Sequence, residues 1–243
     1  MRRIFALICG LFALCACDKH DPVLPGVRTA IFDTGRVDVL NQDIPKLPYT
    51  ALTIDNSACR YTQDTDNVIW DGARRVFSGF STPNTVSGTR RPVCVGNYVI
   101  AGLTTGEVVK INPQNRQIMW VADVYRASNL TGGASMVDII APVVPHQGAV
   151  YAAGLGNAFC KLSLSTGNKQ WCVNIGVAVP FTLVGDFVFV VGTDSSLYAI
   201  KTSDGSVYWR TAVKSQSTPE YKSGEIVIGD ERIDAYTGKI IKS

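Results

Sequence analysis

The sequence predicts an all-β protein, a partial or small β-propeller of about four to five four-stranded blades. Two observations support this prediction. A β-rich unit recurs from Pro92 to the end of the sequence, and a tryptophan recurs at a fixed position within it. Each unit contains four short apolar runs separated by turns, which is the pattern of a propeller blade. A β-sandwich also has short strands, but it gives no reason for a tryptophan at constant phase.

The distances between equivalent prolines define the repeat, which occupies residues 92–243. Pro142 and Pro180 are 38 positions apart, and Pro180 and Pro219 are 39 apart. The step from Pro92 to Pro142 is 50 positions, and the additional residues lie at about 125–140. We therefore expect one inter-blade loop to be longer than the others, while the strands keep their register.

The recurring tryptophans, Trp120, Trp171 and Trp209, are interpreted as packing residues rather than as part of a cofactor site. The neighbouring blades cover both faces of a blade, so its strands are apolar almost throughout. One large aromatic side chain per blade then fills the wedge between adjacent sheets.

A tight hairpin turn precedes each tryptophan position. Gly167, Gly205 and Gly238 fall at this turn in the last three copies, where glycine supplies the positive φ. The first copy has Asn115-Arg116 instead, and Asn115 is expected to take the left-handed conformation because asparagine tolerates it best.

The region before the repeats, residues 49–91, is predicted to be irregular or a partial blade. Residues 51–54 and 67–70 have the composition of short strands. The fourth repeat is incomplete, because its tryptophan position falls at Lys242. Its outer strand is expected to be missing or to come from residues 68–70. An open arc exposes sheet faces and edges, which favours association. Three alternatives therefore stay open: a reduced propeller, a half-ring that dimerises, and a decaying copy of a family member.

The N-terminus has the features of an export signal. Arg2 and Arg3 precede a short apolar run, residues 4–14. Leu14-Cys15-Ala16-Cys17 matches a bacterial lipobox, which predicts a signal peptide at 1–16 and a lipid on Cys17. The alternative is an ordinary signal peptide with a later cleavage site. Residues 17–48 are polar and rich in proline, and they are predicted to form a flexible tether.

Four further cysteines would lie in an oxidising compartment, where disulfides are permitted. They are Cys59, Cys94, Cys160 and Cys172. Simple hairpin pairing places Cys160 and Cys172 on opposite faces of their sheet. Buried free thiols and disulfides therefore stay as alternatives.

Composition excludes several function classes. The formal net charge is +3, too small to indicate a nucleic-acid-binding protein. The sequence has two histidines, His20 and His146, which argues against a histidine-rich metal site and against a Ser-His-Asp constellation. No catalytic, cofactor-binding or metal-binding residues are predicted.

The repeat, of the form [Ala/Lys]-Ile-x-x-x-[Thr/Asp]-Gly-x-x-x-Trp, resembles the pyrroloquinoline-quinone (PQQ) type propeller repeat. The lipobox, the lead at 21–28 and the segment at 136–144 resemble those of the BamB family of outer-membrane assembly factors. The resemblance implies a non-catalytic lipoprotein scaffold in the periplasm of a Gram-negative bacterium, on the outer membrane. Asp18 leaves the inner membrane as an alternative. Family members have eight blades, whereas four are counted here from Pro92.

The resemblance also implies a partner, the POTRA domains of the barrel-inserting subunit BamA. The positions that bind the partner in the family correspond to Val86 and Asp138 in this sequence. Ser87 stands where the family has an arginine, and Met136 stands where it has a second acid.

Two other functions stay as alternatives. One is a periplasmic propeller that binds a polysaccharide or peptide. The other is a remnant of a PQQ-dependent dehydrogenase. The short length of the chain and the absence of an adjacent cysteine pair in its repeats argue against this function.

Overall fold

The computed structural model describes residues 37–48, 50–83, 85–86, 88, 90–125 and 136–242, all within one compact unit. The predicted signal peptide, Cys17, Asp18, the tether up to residue 36 and Ser87 lie outside the described residues. The described part contains nineteen β-strands in five antiparallel sheets, which confirms the all-β, blade-like architecture. Over these same ranges we find no helix with the length and apolar character needed to span a bilayer.

The sheets follow one another along the chain. Sheet 1 contains β1 (Tyr61–Gln63), β2 (Val68–Asp71) and β3 (Arg74–Ser78). Sheet 2 contains β4 (Val93–Val95), β5 (Tyr98–Gly102), β6 (Glu107–Asn112) and β7 (Gln117–Asp123). Sheet 3 contains β8 (Val144–His146), β9 (Ala149–Gly154), β10 (Ala158–Ser163) and β11 (Lys169–Val173). Sheet 4 contains β12 (Thr182–Val184), β13 (Phe187–Gly192), β14 (Ser196–Lys201) and β15 (Val207–Ala212). Sheet 5 contains β16 (Glu220–Lys222), β17 (Glu225–Ile228), β18 (Glu231–Asp234) and β19 (Ile240–Lys242).

Each sheet packs against the next through an apolar cluster. Four such clusters join sheets 1 and 2, 2 and 3, 3 and 4, and 4 and 5. All six residues of β9 and all six of β13 are buried, as expected for strands of a sheet covered on both faces. The core is therefore a series of layers between sheets rather than one central mass.

The recurring tryptophans lie between neighbouring sheets, which confirms their packing role. The Trp120 ring of sheet 2 lies against the turn of sheet 3 at Gly167, where an added Cβ would be 2.8 Å from the ring. Its Nε1–H donates to the Leu164 carbonyl at 3.1 Å. Trp171 of sheet 3 repeats the arrangement in sheet 4, donating to the Thr202 carbonyl at 3.0 Å.

The glycine turns confirm the predicted positive φ, whereas the first repeat differs from its prediction. Arg116, not Asn115, takes the left-handed conformation, at φ 62°. Asn115 instead uses its side chain, because Oδ1 accepts the Gln117 N–H at 3.0 Å. Arg116 lies four residues before Trp120, as Gly167 lies before Trp171, so it occupies the left-handed position of the same turn.

The prediction that the fourth repeat lacks its outer strand is wrong. β19 pairs antiparallel with β18 and completes sheet 5, although it is only three residues long. The candidate replacement, residues 68–70, lies in β2 between β1 and β3. Sheet 1 has three strands. Residues 51–54 form no strand, and Leu52 N–H donates to the Leu183 carbonyl at 2.8 Å.

The described part of the predicted tether, residues 37–48, is packed rather than free. Ile44 and Leu47 are 3% and 7% exposed and belong to the apolar cluster of sheets 4 and 5. Leu40 N–H donates to the Val207 carbonyl at 2.9 Å, next to a parallel bridge between Val39 and Val207. The segment is polar overall, but burial of its few apolar side chains stabilises its position against the sheets.

Both disulfides form, and the opposite-face argument for Cys160 and Cys172 is wrong. A β-bulge adds Gln170 to β11, which shifts the register by one residue and places Cys160 directly opposite Cys172. Their Cα atoms are 4.1 Å apart. The second bond joins Cys59 to Cys94. It ties the segment before β1 to β4 of sheet 2.

Candidate functional site

The two residues carried over as partner-binding lie in consecutive connections between sheets. Residues 79–92 connect sheets 1 and 2, and residues 124–143 connect sheets 2 and 3. Val86 is in the first and Asp138 in the second. The structure brings them into contact, because the Val86 N–H donates to Asp138 Oδ2 at 2.7 Å. We call the described residues of these two segments the paired connections.

Asp138 is buried, at 2% exposure, and its segment is held against two sheets. The Asp138 carbonyl accepts the Leu155 N–H at 3.0 Å, and the next N–H, of Ile139, donates to the Leu103 carbonyl at 3.1 Å. Gly154 is required here, because an added Cβ would lie 2.9 Å from the Asp138 carbonyl oxygen. Residues 138 and 139 of the second connection are therefore held at the ends of β5 and β9.

The first connection is fixed by the second and by a polar network. An added Cβ at Gly88 would lie 2.5 Å from the Ile140 Cβ, so the two chains pass each other in close contact. Asn67 Nδ2 donates to Thr104 Oγ1 at 2.7 Å, and Thr82 Oγ1 donates to the same oxygen at 2.7 Å. A charge-assisted hydrogen bond, in which the Asp138 carboxylate accepts the Val86 N–H, completes this set of restraints.

Two exposed apolar side chains lie on the paired connections. Phe80 is 84% exposed and Met136 is 54% exposed. Isolated exposed apolar residues are common, but binding residues lie disproportionately on loops that a rigid scaffold positions. The sequence analysis missed Phe80 because a single phenylalanine in a loop-like stretch carries no periodic signal.

A polar cavity of about 560 Å³ lies elsewhere, between residues 37–41 and the ends of sheets 3 and 4. Its wall includes an ion pair between Arg210 and Asp194 at 2.8 Å. The Tyr198 hydroxyl donates to Asp194 at 2.6 Å. Burial, together with the Asp194 hydrogen bond and charge, raises the pKa of Tyr198 to about 12. Among the residues the structure describes, no three of His, Cys, Asp and Glu converge as metal ligands.

The order of the sheets and the tryptophans packed between them define a β-propeller repeat protein, whose repeat resembles the PQQ type. A sequence profile described as "Outer membrane protein assembly factor BamB" matches residues 27–211 and 161–240. The match covers well over half of the sequence, and the chain therefore belongs to the BamB family.

Individual relatives are distant and longer. The outer membrane protein assembly factor BamB of Alkalilimnicola ehrlichii is 26% identical over 150 residues, which cover 60% of this chain and 39% of that protein. BamB of Salmonella typhimurium is 24% identical over 146 residues, covering 59% of this chain and 37% of that protein. The chain thus spans well under half the length of these relatives.

Solved structures support the fold. The crystal structure of BamB from Moraxella catarrhalis superposes with a TM-score of 0.51 at 15% identity, covering 81% of this chain and 67% of that one. The quinohemoprotein alcohol dehydrogenase from Comamonas testosteroni has a TM-score of 0.50 at 14% identity, covering 65% of this chain and 34% of that one. At these identities the similarity concerns the architecture alone.

Proposed function

We propose that this protein is a non-catalytic scaffold lipoprotein of the outer-membrane β-barrel assembly machinery. In this role it docks through the paired connections onto the POTRA domains of a BamA-like barrel-inserting subunit. Family membership supports the general role. The observation that carries the docking site is the 2.7 Å hydrogen bond joining Val86 to Asp138 across two connections.

Within this proposal the two carried residues have different roles. Asp138 is almost fully buried and already accepts a backbone N–H, so it positions the first connection rather than touching a partner. Val86 is half-buried, and the exposed Phe80 and Met136 supply the apolar contact. Residues that are already held by such contacts lose little conformational entropy on binding.

The proposal also includes the lipid anchor. A diacylglyceryl group on Cys17 would hold the protein at the periplasmic side of the outer membrane, with no cofactor required. Replacing Cys17 with Ser should release the protein from membranes to a soluble fraction. A Cys17→Ser variant that stays membrane-bound would refute the anchor.

Docking is tested with the full-length protein and purified POTRA domains of the BamA-like subunit from the same source. Replacing Phe80 and Met136 together with Ser should weaken binding roughly tenfold, since two exposed apolar contacts are lost. Ile241→Ser, at a residue that is about as exposed as Met136 (53%) but lies on sheet 5, is the control and should bind normally. Equal binding by all three proteins would refute this docking surface.

The positioning role of Asp138 has its own test. Asp138→Ala removes the acceptor and should weaken docking, because the Val86 N–H loses its partner. Asp138→Asn keeps an oxygen acceptor and should preserve most of the affinity. If both substitutions abolish docking and wild-type affinity falls steeply with salt, Asp138 contacts the partner by charge and the positioning role is wrong.

The polar cavity favours a second candidate function, binding of a polysaccharide or peptide. It offers the side chains of Asp38, Asn41, Asn157, Asp194 and Arg210 for hydrogen bonding. Recovery of glycans or peptides, and no barrel-inserting subunit, in a pull-down from native envelopes would support this alternative over the scaffold role.

A further inference from the structure

The outer edge of sheet 2 exposes a row of aliphatic side chains. Ile118, Met119 and Val121, all on β7, are 50%, 42% and 47% exposed. β7 is the edge strand of its sheet, so one side of its backbone is not paired within the sheet. We call these three residues, with the backbone between them, the β7 edge.

The equivalent edge of sheet 4 is covered by the chain itself. Val207 and Tyr208 occupy the positions of Ile118 and Met119, counted back from the tryptophan of each sheet. The Val207 carbonyl accepts the Leu40 N–H, and the Tyr208 carbonyl accepts the Gln42 N–H, both at 2.9 Å. Val207 is 2% exposed and lies in the apolar cluster of sheets 3 and 4, against which Val37 and Val39 of the covering segment also pack. An extended segment running parallel to β15 is thus an occupant that this edge geometry accepts.

The same positions in sheet 3 have different chemistry. Lys169 and Gln170 are exposed, and polar or charged residues protect an uncovered edge from unwanted pairing. In sheets 3 and 4 the edge is therefore apolar where a segment covers it and polar where none does. The β7 edge departs from this pattern, because it is apolar and uncovered in the described part of the chain. Ile240 and Ile241 of sheet 5 show the same departure on a strand of three residues.

We infer that the β7 edge binds an extended segment of a partner polypeptide by parallel strand addition. The partner donates N–H groups to the carbonyls of Ile118 and Met119, as residues 40 and 42 do in sheet 4. Its aliphatic side chains, at alternate positions, cover those of the edge. This inference does not depend on the proposed docking through the paired connections.

Charge and register define the occupant further. Arg116 lies exposed just before β7 and Asp123 lies exposed at its end. A parallel segment that is acidic at its amino end and basic at its carboxyl end therefore matches both. The register shift between Lys110 and Ile111 leaves Met119 bulged, which interrupts a long regular ladder. An unfolded segment follows such an edge more easily than the edge strand of a folded sheet does.

The experiment uses a fluorescent ten-residue peptide of alternating valine and threonine, with Asp near its amino end and Lys near its carboxyl end. The wild-type protein should bind it. The double variant Ile118→Lys with Met119→Gln should bind roughly tenfold more weakly, because it loses apolar contacts. Sheet 3 already carries Lys and Gln at these positions, so the fold should accept them, and an unchanged melting temperature checks this.

Two controls sharpen the result. The reciprocal variant, Lys169→Ile with Gln170→Met, should bind additional peptide at sheet 3. A peptide with its terminal charges exchanged should bind the wild type more weakly. Equal peptide binding by the wild type and the Ile118/Met119 variant would overturn the proposal. So would no binding by the wild type, or a wild-type dimer that the variant abolishes, since a second copy would then be the occupant.

Discussion

The contact between each tryptophan and the next turn can be tested at a single glycine. Gly205 has φ 78°, and a Cβ added there would lie 2.9 Å from the Trp171 ring. Gly205→Ala therefore adds about 1–2 kcal/mol of left-handed backbone strain and about 1–3 kcal/mol of overpacking. We expect a total loss of about 2–5 kcal/mol in the free energy of unfolding.

Gly148 provides a matched control for the backbone term. Its φ is 74°, and an added Cβ would meet nothing within 4 Å. Gly148→Ala should therefore cost only the strain of about 1–2 kcal/mol. Urea unfolding followed by circular dichroism measures both variants on one scale. Equal losses at the two glycines would show that the tryptophan contact adds nothing, and the interlocking of sheets would have to be reconsidered.

Three further predictions concern other parts of the chain. Replacing Cys160 and Cys172 with Ser should lower stability by about 3 kcal/mol, from a loop with a sequence separation of 12; urea midpoints that are the same for reduced and oxidised wild type would contradict this. The pKa of Tyr198 is raised, so the contribution of Tyr198 to the free energy of unfolding is complete below the ordinary pKa of tyrosine and is lost as pH rises towards about 12. Tyr198→Phe should therefore flatten that part of the curve of stability against pH. Ile44→Ala should cost about 2–5 kcal/mol, whereas a freely flexible tether would lose nothing.

The strand pattern of the repeats could be predicted because its signals are local. Apolar runs, hairpin glycines and recurring tryptophans at constant spacing follow from the physics of one blade and repeat in each copy. The same signals predicted the packing role of Trp120 and Trp171 and one longer connection. They did not predict β19, because the fourth repeat has no tryptophan at the expected position. The three-residue strand forms without one, since it pairs with β18.

The features that were missed depend on contacts or on single-residue shifts. One bulged residue, Gln170, reverses which face Cys172 occupies, and hydrophobic pattern alone does not reveal a bulge. Residues 37–48 look like a linker in composition, yet Ile44 finds a buried position that only the assembled sheets create.

The candidate site shows the same limit. Family resemblance selected Val86 and Asp138, but their bond joins a carboxylate to a backbone N–H, which any residue except proline could supply at that position. Sequence reasoning therefore identified the two connections. It gave no signal for their direct contact or for the exposed Phe80 beside them.

Sheet 5 bears on the expectation that an open arc associates through its exposed faces. Ile226 and Ile233 face sheet 4 and are fully buried, whereas the alternate residues of β17 and β18 face away. On that far face Glu225 and Arg232 form a 2.5 Å ion pair, and Arg232 is half exposed. No apolar cluster of the described residues joins this face to sheet 1. A half-ring that dimerised here would have to desolvate that pair, so the polarity of sheet 5 argues against association through this face.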